Sequence, residues 1–185
     1  MAKAREIPGL STDLAYGEVA ARVLEVRCRE LMDHSANVLD VTHIEGVHDM
    51  RVASRRLRAA IEVFWPCFPK KGAKAVLSEV KGLADALGER RDRDVAIAML
   101  GSFAAAMPHP DRRGIASLIE EFEAEQLAAN DELEGPVEPA RLERLEAAVL
   151  ELAAAARDAA GGSSPAGGSS NGSAPQQPAG EGEPR

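Results

Sequence analysis

The sequence predicts an all-α protein, a bundle of about six amphipathic helices followed by a disordered tail. Three observations carry this. Ala, Leu, Val and Glu dominate while aromatic residues make up only 3%, a balance that favours helix over sheet. Apolar residues recur at steps of three and four along most of the chain up to Ala160. Proline, glycine and short polar runs punctuate that pattern at brief intervals, so successive helices are joined by short connections, as in a bundle.

Residues 1–15 form a lead in which Ser11, Thr12 and Asp13 offer an N-cap. The first helix is expected over 16–39, with Ala20, Leu24, Cys28, Leu31 and Val38 at helical spacing. A polar break at 40–45 precedes the second, 45–65, which Pro66 and Pro69 end because proline cannot continue an intrahelical ladder. The third, 70–87, has Val76, Val80, Leu83 and Leu87 on one face and Gly88 as its C-terminal stop. Asp92 or Asp94 then caps a fourth helix, 95–107, broken by Pro108 and Pro110. The fifth, 111–133, carries Ile115, Leu118, Ile119, Phe122, Ala129 and Leu133 on one face, and Gly135-Pro136 closes it. The sixth, 139–160, has a seam of Leu142, Leu145, Val149, Leu152 and Ala156 suited to a helical neighbour. One helical domain thus spans 16–160. Beyond it, 161–185 is mostly Gly, Ser, Pro, Ala and Gln, with almost nothing apolar to bury, and is expected to be disordered.

The chain has a formal net charge of −8, which should keep it off polyanions in general. Its charges are unevenly distributed, however. The stretch from His48 to Arg93 is net basic and the remainder strongly acidic, so any anion site must be local. Cys28 and Cys67 are isolated, without the spacing of a zinc site or a disulfide framework. The N-terminus has no signal-peptide core, and no apolar run approaches the ~18 residues that span a bilayer. A cytoplasmic protein with free thiols is the expectation, and contact with a membrane is not.

The stretch from His48 to Arg58 concentrates the chemistry. On a helix, His48, Arg51, Arg55 and Arg58 share one stripe, while Met50, Leu57, Ile61 and Phe64 fall on another that can face a core. Arginines on a helix usually form a solvated face, but here four groups lie within one arc beside the apolar side. Guanidinium forks donate to phosphate oxygens in pairs. Glu62 continues the stripe and can tether Arg58 one turn away. Lys70, Lys74 and Lys81 line the next helix, which as an antiparallel neighbour would place both ladders on one groove. Arg90 and Arg91 are expected near a helix N-terminus, where anions are also welcome. The sequence contains no HExxH, Gly-rich phosphate loop or G-x-S-x-G, and no Cys/His pair at catalytic spacing. Asp92 and Asp94 alone make only a partial magnesium site.

Val47-His-Asp-Met-Arg-Val-Ala-Ser-Arg-Arg-Leu-Arg58, followed by Leu83-Ala-Asp-Ala-Leu-Gly88 and Arg91-Asp-Arg-Asp-Val95, resembles the CHAD domain (conserved histidine α-helical domain), and specifically its first half. The resemblance implies an all-helical fold whose basic, histidine-containing cavity binds inorganic polyphosphate. It also implies association with polyphosphate granules and partnership with CYTH-type triphosphatase domains. By motif position it assigns the ligand to His48, Arg51, Arg55, Arg56, Arg58 and Arg91, with Lys81 less firmly placed.

The function expected is therefore non-catalytic binding of polyphosphate, with no cofactor, through His48, Arg51, Arg55, Arg56, Arg58, Lys70, Lys74, Lys81, Arg90 and Arg91. Nucleic acid is not expected, because aromatics for base stacking are scarce. Two alternatives compete: a metal-dependent triphosphate or polyphosphate hydrolase using His48 or Asp92/Asp94, or an accessory subunit of one, and a helical protein-interaction module. Because the resemblance covers one of two related halves, a homodimer is expected to restore the second ladder, with the seam of Leu142, Leu145, Val149 and Leu152 offering an apolar contact.

Overall fold

The computed structural model describes residues 3–109 and 112–161. Its helices are α1 (Tyr16–Asp33), α2 (Ile44–Val63), α3 (Lys70–Ala106), α4 (Arg112–Glu134) and α5 (Pro139–Gly161), with a 3-10 turn at Trp65–Cys67 between α2 and α3. The all-α class holds, and there is no strand among the described residues. The expected disorder of 162–185, and the roles of Pro110 as breaker and Asp111 as helix start, lie outside them.

Four helices form an up-down-up-down bundle in which α1 packs on α2 and α5, and α3 on α2 and α5. Leu24, Leu31, Met50, Leu57, Ile61, Val80, Leu87 and Val149 fill its centre, each drawn from the apolar stripe of its helix. The sixth-helix seam is part of this core. Leu142, Leu145, Val149 and Leu152 are buried within the monomer, so they do not provide a dimer contact.

The expected third and fourth helices are a single helix of 37 residues, about 55 Å long at 1.5 Å per residue. Gly88 does not stop it, and Asp92 and Asp94 cap nothing. Glycine in a helix costs only about 1 kcal/mol relative to alanine, too little to end one between two good helix-forming stretches. Pairs one turn apart, Arg90 with Asp94 and Arg93 with Glu89 at 2.6 Å, bridge the charged segment. α3 therefore runs past the end of the bundle. α4 returns along its protruding part, and α5 continues in the same direction along the bundle.

α1 is shorter than expected and ends at Asp33. The Ser35 hydroxyl donates to the Met32 carbonyl at 2.7 Å, and Asp40 accepts from both the backbone and hydroxyl of Thr42. Such local bonds compete with the helix ladder. Val38 is still buried, from the connecting turn. The N-cap of α1 is Ala15, without a side-chain bond, rather than any of Ser11, Thr12 or Asp13. The lead is fastened along α1 instead. Arg22 donates to the Gly9 carbonyl at 2.6 Å and Arg27 to that of Arg5 at 3.1 Å.

At Gly17 the backbones of α1 and α5 approach so closely that a Cβ would strike the Ala156 carbonyl oxygen and lie 3.0 Å from the Ala160 Cβ. Neither obstacle is the mobile end of a side chain. Gly17→Ala is expected to force the helices apart and cost about 1–3 kcal/mol, the range for overpacking. A thermal melt beside the parental chain measures it, and an unchanged midpoint would show that the two helices separate freely.

Candidate anion site

α2 and α3 are antiparallel neighbours, and two contacts fix their register. The space above Gly88 is taken by Arg51, whose Nε lies 3.7 Å from where a glycine Cβ would be. One turn further along α3, Arg91 donates to the Ile44 carbonyl at 3.4 Å. His48 falls between these contacts along α2. Arg58 lies two turns from Arg51 and Lys81 two turns from Gly88 in the opposite chain direction, so the two come level across the seam. Lys74 and Lys70 continue the row beside the turn that joins the helices.

His48, Arg51 and Arg91 are half-buried, whereas Arg55, Arg58, Lys70, Lys74 and Lys81 are exposed. Arg58 is tethered by Glu62 at 2.9 Å, as its spacing foretold. Among the described residues no carboxylate pairs with Arg51, Arg55, Lys70, Lys74 or Lys81. This contrasts with Arg22, Arg27, Arg93, Arg141 and Arg157, each held by a glutamate within 3.0 Å. Unpaired cations at this density repel one another and favour any anion that settles among them.

Two expected site residues sit elsewhere. Arg56 is one residue from Arg55 and so about 100° round the helix, and it turns towards α1, 3.9 Å from Glu30. Glu30 is buried at the centre of a structural network, where Arg27 donates at 2.6 Å and the Arg5 backbone also donates. Burial pushes the Glu30 carboxyl up, but these hydrogen bonds and the charges of Arg27 and Arg56 outweigh it and hold it below the ordinary carboxylate value. An acidic residue on the apolar stripe of α1, three residues from an arginine, was the available signal for this network.

Arg90 is the clearer correction. It is 0% exposed, lies in mid-helix rather than near an N-terminus, and pairs with the equally enclosed Asp94. Gln126 of α4 donates to the same Asp94 oxygen at 2.7 Å. The side chain that points outward to the seam is that of Arg91. The pairing also occupies Asp94, and among the described residues no group of three or more His, Cys, Asp or Glu side chains is placed to hold a metal ion. Burial first, and then the charge of Glu146, push the Cys28 thiol up to about 12. Both cysteines are unpaired.

Three cavities of about 420 to 440 Å³ lie away from this seam, the one of about 440 Å³ beside His109, Arg112 and Arg113 at the start of α4. One of about 420 Å³ opens between α3 and α5 beside Glu79, Arg141 and Leu145. A second of similar size lies between the end of α1 and the start of α5, at Met32, Val38 and Leu142. The cationic seam lies at the surface, where Arg55, Arg58, Lys70, Lys74 and Lys81 are exposed. Among the described residues no helix is long and apolar enough to cross a membrane.

No curated protein matches the chain. A solved structure does: the CHAD domain from the plant Ricinus communis, with a TM-score of 0.60 and 26% identity over 83% of this chain. The match spans 52% of the plant domain, about half its length. The CHAD domain family itself matches residues 22–180, from early in α1, through the α2–α3 seam and into the tail. That span contains every cation of the seam, and the chain belongs to the CHAD domain family.

Proposed function

We propose that this chain binds inorganic polyphosphate without hydrolysing it, on the seam between α2 and α3. The observation that carries the reading is the row of cations left without carboxylate partners, Arg51 and Arg55 on one helix and Lys70, Lys74 and Lys81 on the other. Arg58 joins them if phosphate displaces Glu62. A linear anion lying along the seam meets guanidinium forks on one side and ammonium groups on the other, with His48 and Arg91 at the far end. Of the carboxylates Asp92 and Asp94 that a magnesium-dependent hydrolase would draw on, Asp94 is already committed to Arg90 and Gln126. Nucleic acid fits less well because aromatic residues, which would stack bases, make up only 3% of the chain. The reading extends to a CYTH-type triphosphatase as protein partner and to polyphosphate granules as the place of work.

A salt titration tests the mechanism. Neutralising the seam releases counterions from the polyanion, so the logarithm of affinity should fall linearly with the logarithm of salt concentration. Polyphosphate should outcompete ATP and short RNA at each salt. An affinity that does not change between low and high salt would sink the electrostatic account, and phosphate release in magnesium would favour a hydrolase.

A further inference from the structure

The cavity between α3 and α5 owes its space to small side chains. Ala75 and Ser78 of α3 and Ala148 of α5 line its walls, and none is long enough to fill the gap between two helices. The buried Val76 and Leu145 give it an apolar floor. Charge is confined to the rim, and there it is unbalanced. Glu79 is taken by Arg141 at 2.8 Å. Arg144 has no such partner among the described residues. The positions one turn from it on α5 are Ala140, Arg141, Ala147 and Ala148, none of which offers a carboxylate. One guanidinium is thus left over beside an apolar hollow of about 420 Å³.

We propose that this cavity binds a small amphipathic carboxylate, its apolar body on Val76 and Leu145 and its acid group on Arg144. Small-molecule sites have volumes of about 300–1,000 Å³ and combine an apolar lining with a few polar groups that fix orientation. The floor and rim divide in that way here. A guanidinium takes a carboxylate through two parallel hydrogen bonds, and the Ser78 hydroxyl on the opposite wall can donate another. A phosphate monoester would bring a second negative charge beside Glu79. Polyphosphate has no apolar part to place on the floor. The cavity therefore differs from the seam in ligand as well as in place, since the seam lies on the flank of α3 that faces α2.

Calorimetric titration of the whole 185-residue chain with octanoate tests this, with octanol and inorganic phosphate as controls. Octanoate is expected to bind saturably, and each control at least about tenfold more weakly, because each lacks one half of the ligand. Arg144→Leu should weaken octanoate by about tenfold or more through loss of a charge-assisted hydrogen bond. Ala75→Phe places a ring in the cavity and should abolish binding. Both positions are exposed, so helix content should be unchanged. If the ring does disturb α3, Arg144→Leu decides alone. A titration without saturation overturns the proposal. So does octanoate binding that survives either variant in folded form, since the ligand then lies on another surface. Octanol binding as tightly as octanoate overturns it too, because Arg144 would contribute nothing. Polyphosphate binding should be the same in both variants, so failure here is distinct from failure of the seam.

Discussion

Asp94→Ala is expected to lower unfolding stability by about 3–5 kcal/mol, the cost of removing one partner from a buried ion pair. Arg90 is fully enclosed, and its Nε and Nη2 have no hydrogen-bond partner among the described residues. Burial, and then the charge of Arg91, pull its pKa below the ordinary arginine value, but an arginine remains charged near neutrality. Without Asp94 that charge is left in the interior with nothing to offset it. Arg90→Ala should cost a comparable amount by stranding the carboxylate. Replacing both with leucine should recover much of the loss, because the pair itself is worth little more than well-packed apolar side chains. Urea denaturation of the three variants tests this. A single-variant loss under about 1 kcal/mol would mean that water reaches the pair.

The second large effect is on binding. Arg51→Ala with Arg55→Ala is expected to weaken polyphosphate binding by about 1.5–3 kcal/mol for each charge-assisted hydrogen bond removed. That corresponds to roughly a 10- to 150-fold weakening for each residue. Arg55 is exposed and Arg51 only half-buried, so circular dichroism should change little. Arg56→Ala is the internal control. It should leave binding nearly intact and lower stability, since its partner Glu30 is buried in the α1 network. If Arg56→Ala abolishes binding while the Arg51/Arg55 variant does not, the ligand lies against α1 and the seam is misassigned.

The bundle was legible because every helix in it shows the apolar stripe that its burial requires. Leu24, Leu57, Val80 and Val149 were marked by spacing alone and are all fully buried. The join of the third and fourth helices was not legible. Gly88 followed by a charged run reads equally as a stop or as a continuous helix, and the intrinsic difference is about 1 kcal/mol. Contacts remote in sequence, Arg51 over Gly88 and Gln126 to Asp94, accompany the continuous form. The ladder is legible as a stripe, since His48, Arg51, Arg55 and Arg58 need only the helical period of α2. Arg56 could not be placed without its partner on another helix. Arg90 and Asp94 were spaced one turn apart in plain view, but nothing local marks a charged pair as interior.

The cations of the seam are separate rungs, set about one helical turn apart along two rods, and none is distinguished from the next by a closed pocket. A polymer of identical units has no preferred alignment on such a track. On the proposed reading, each phosphate can exchange one rung for the next while its neighbours stay engaged, so the chain moves along the seam without ever letting go. Long polymers then gain affinity from the number of equivalent placements as well as from the number of rungs engaged. Removal of a single rung should slow that motion less than it weakens the grip.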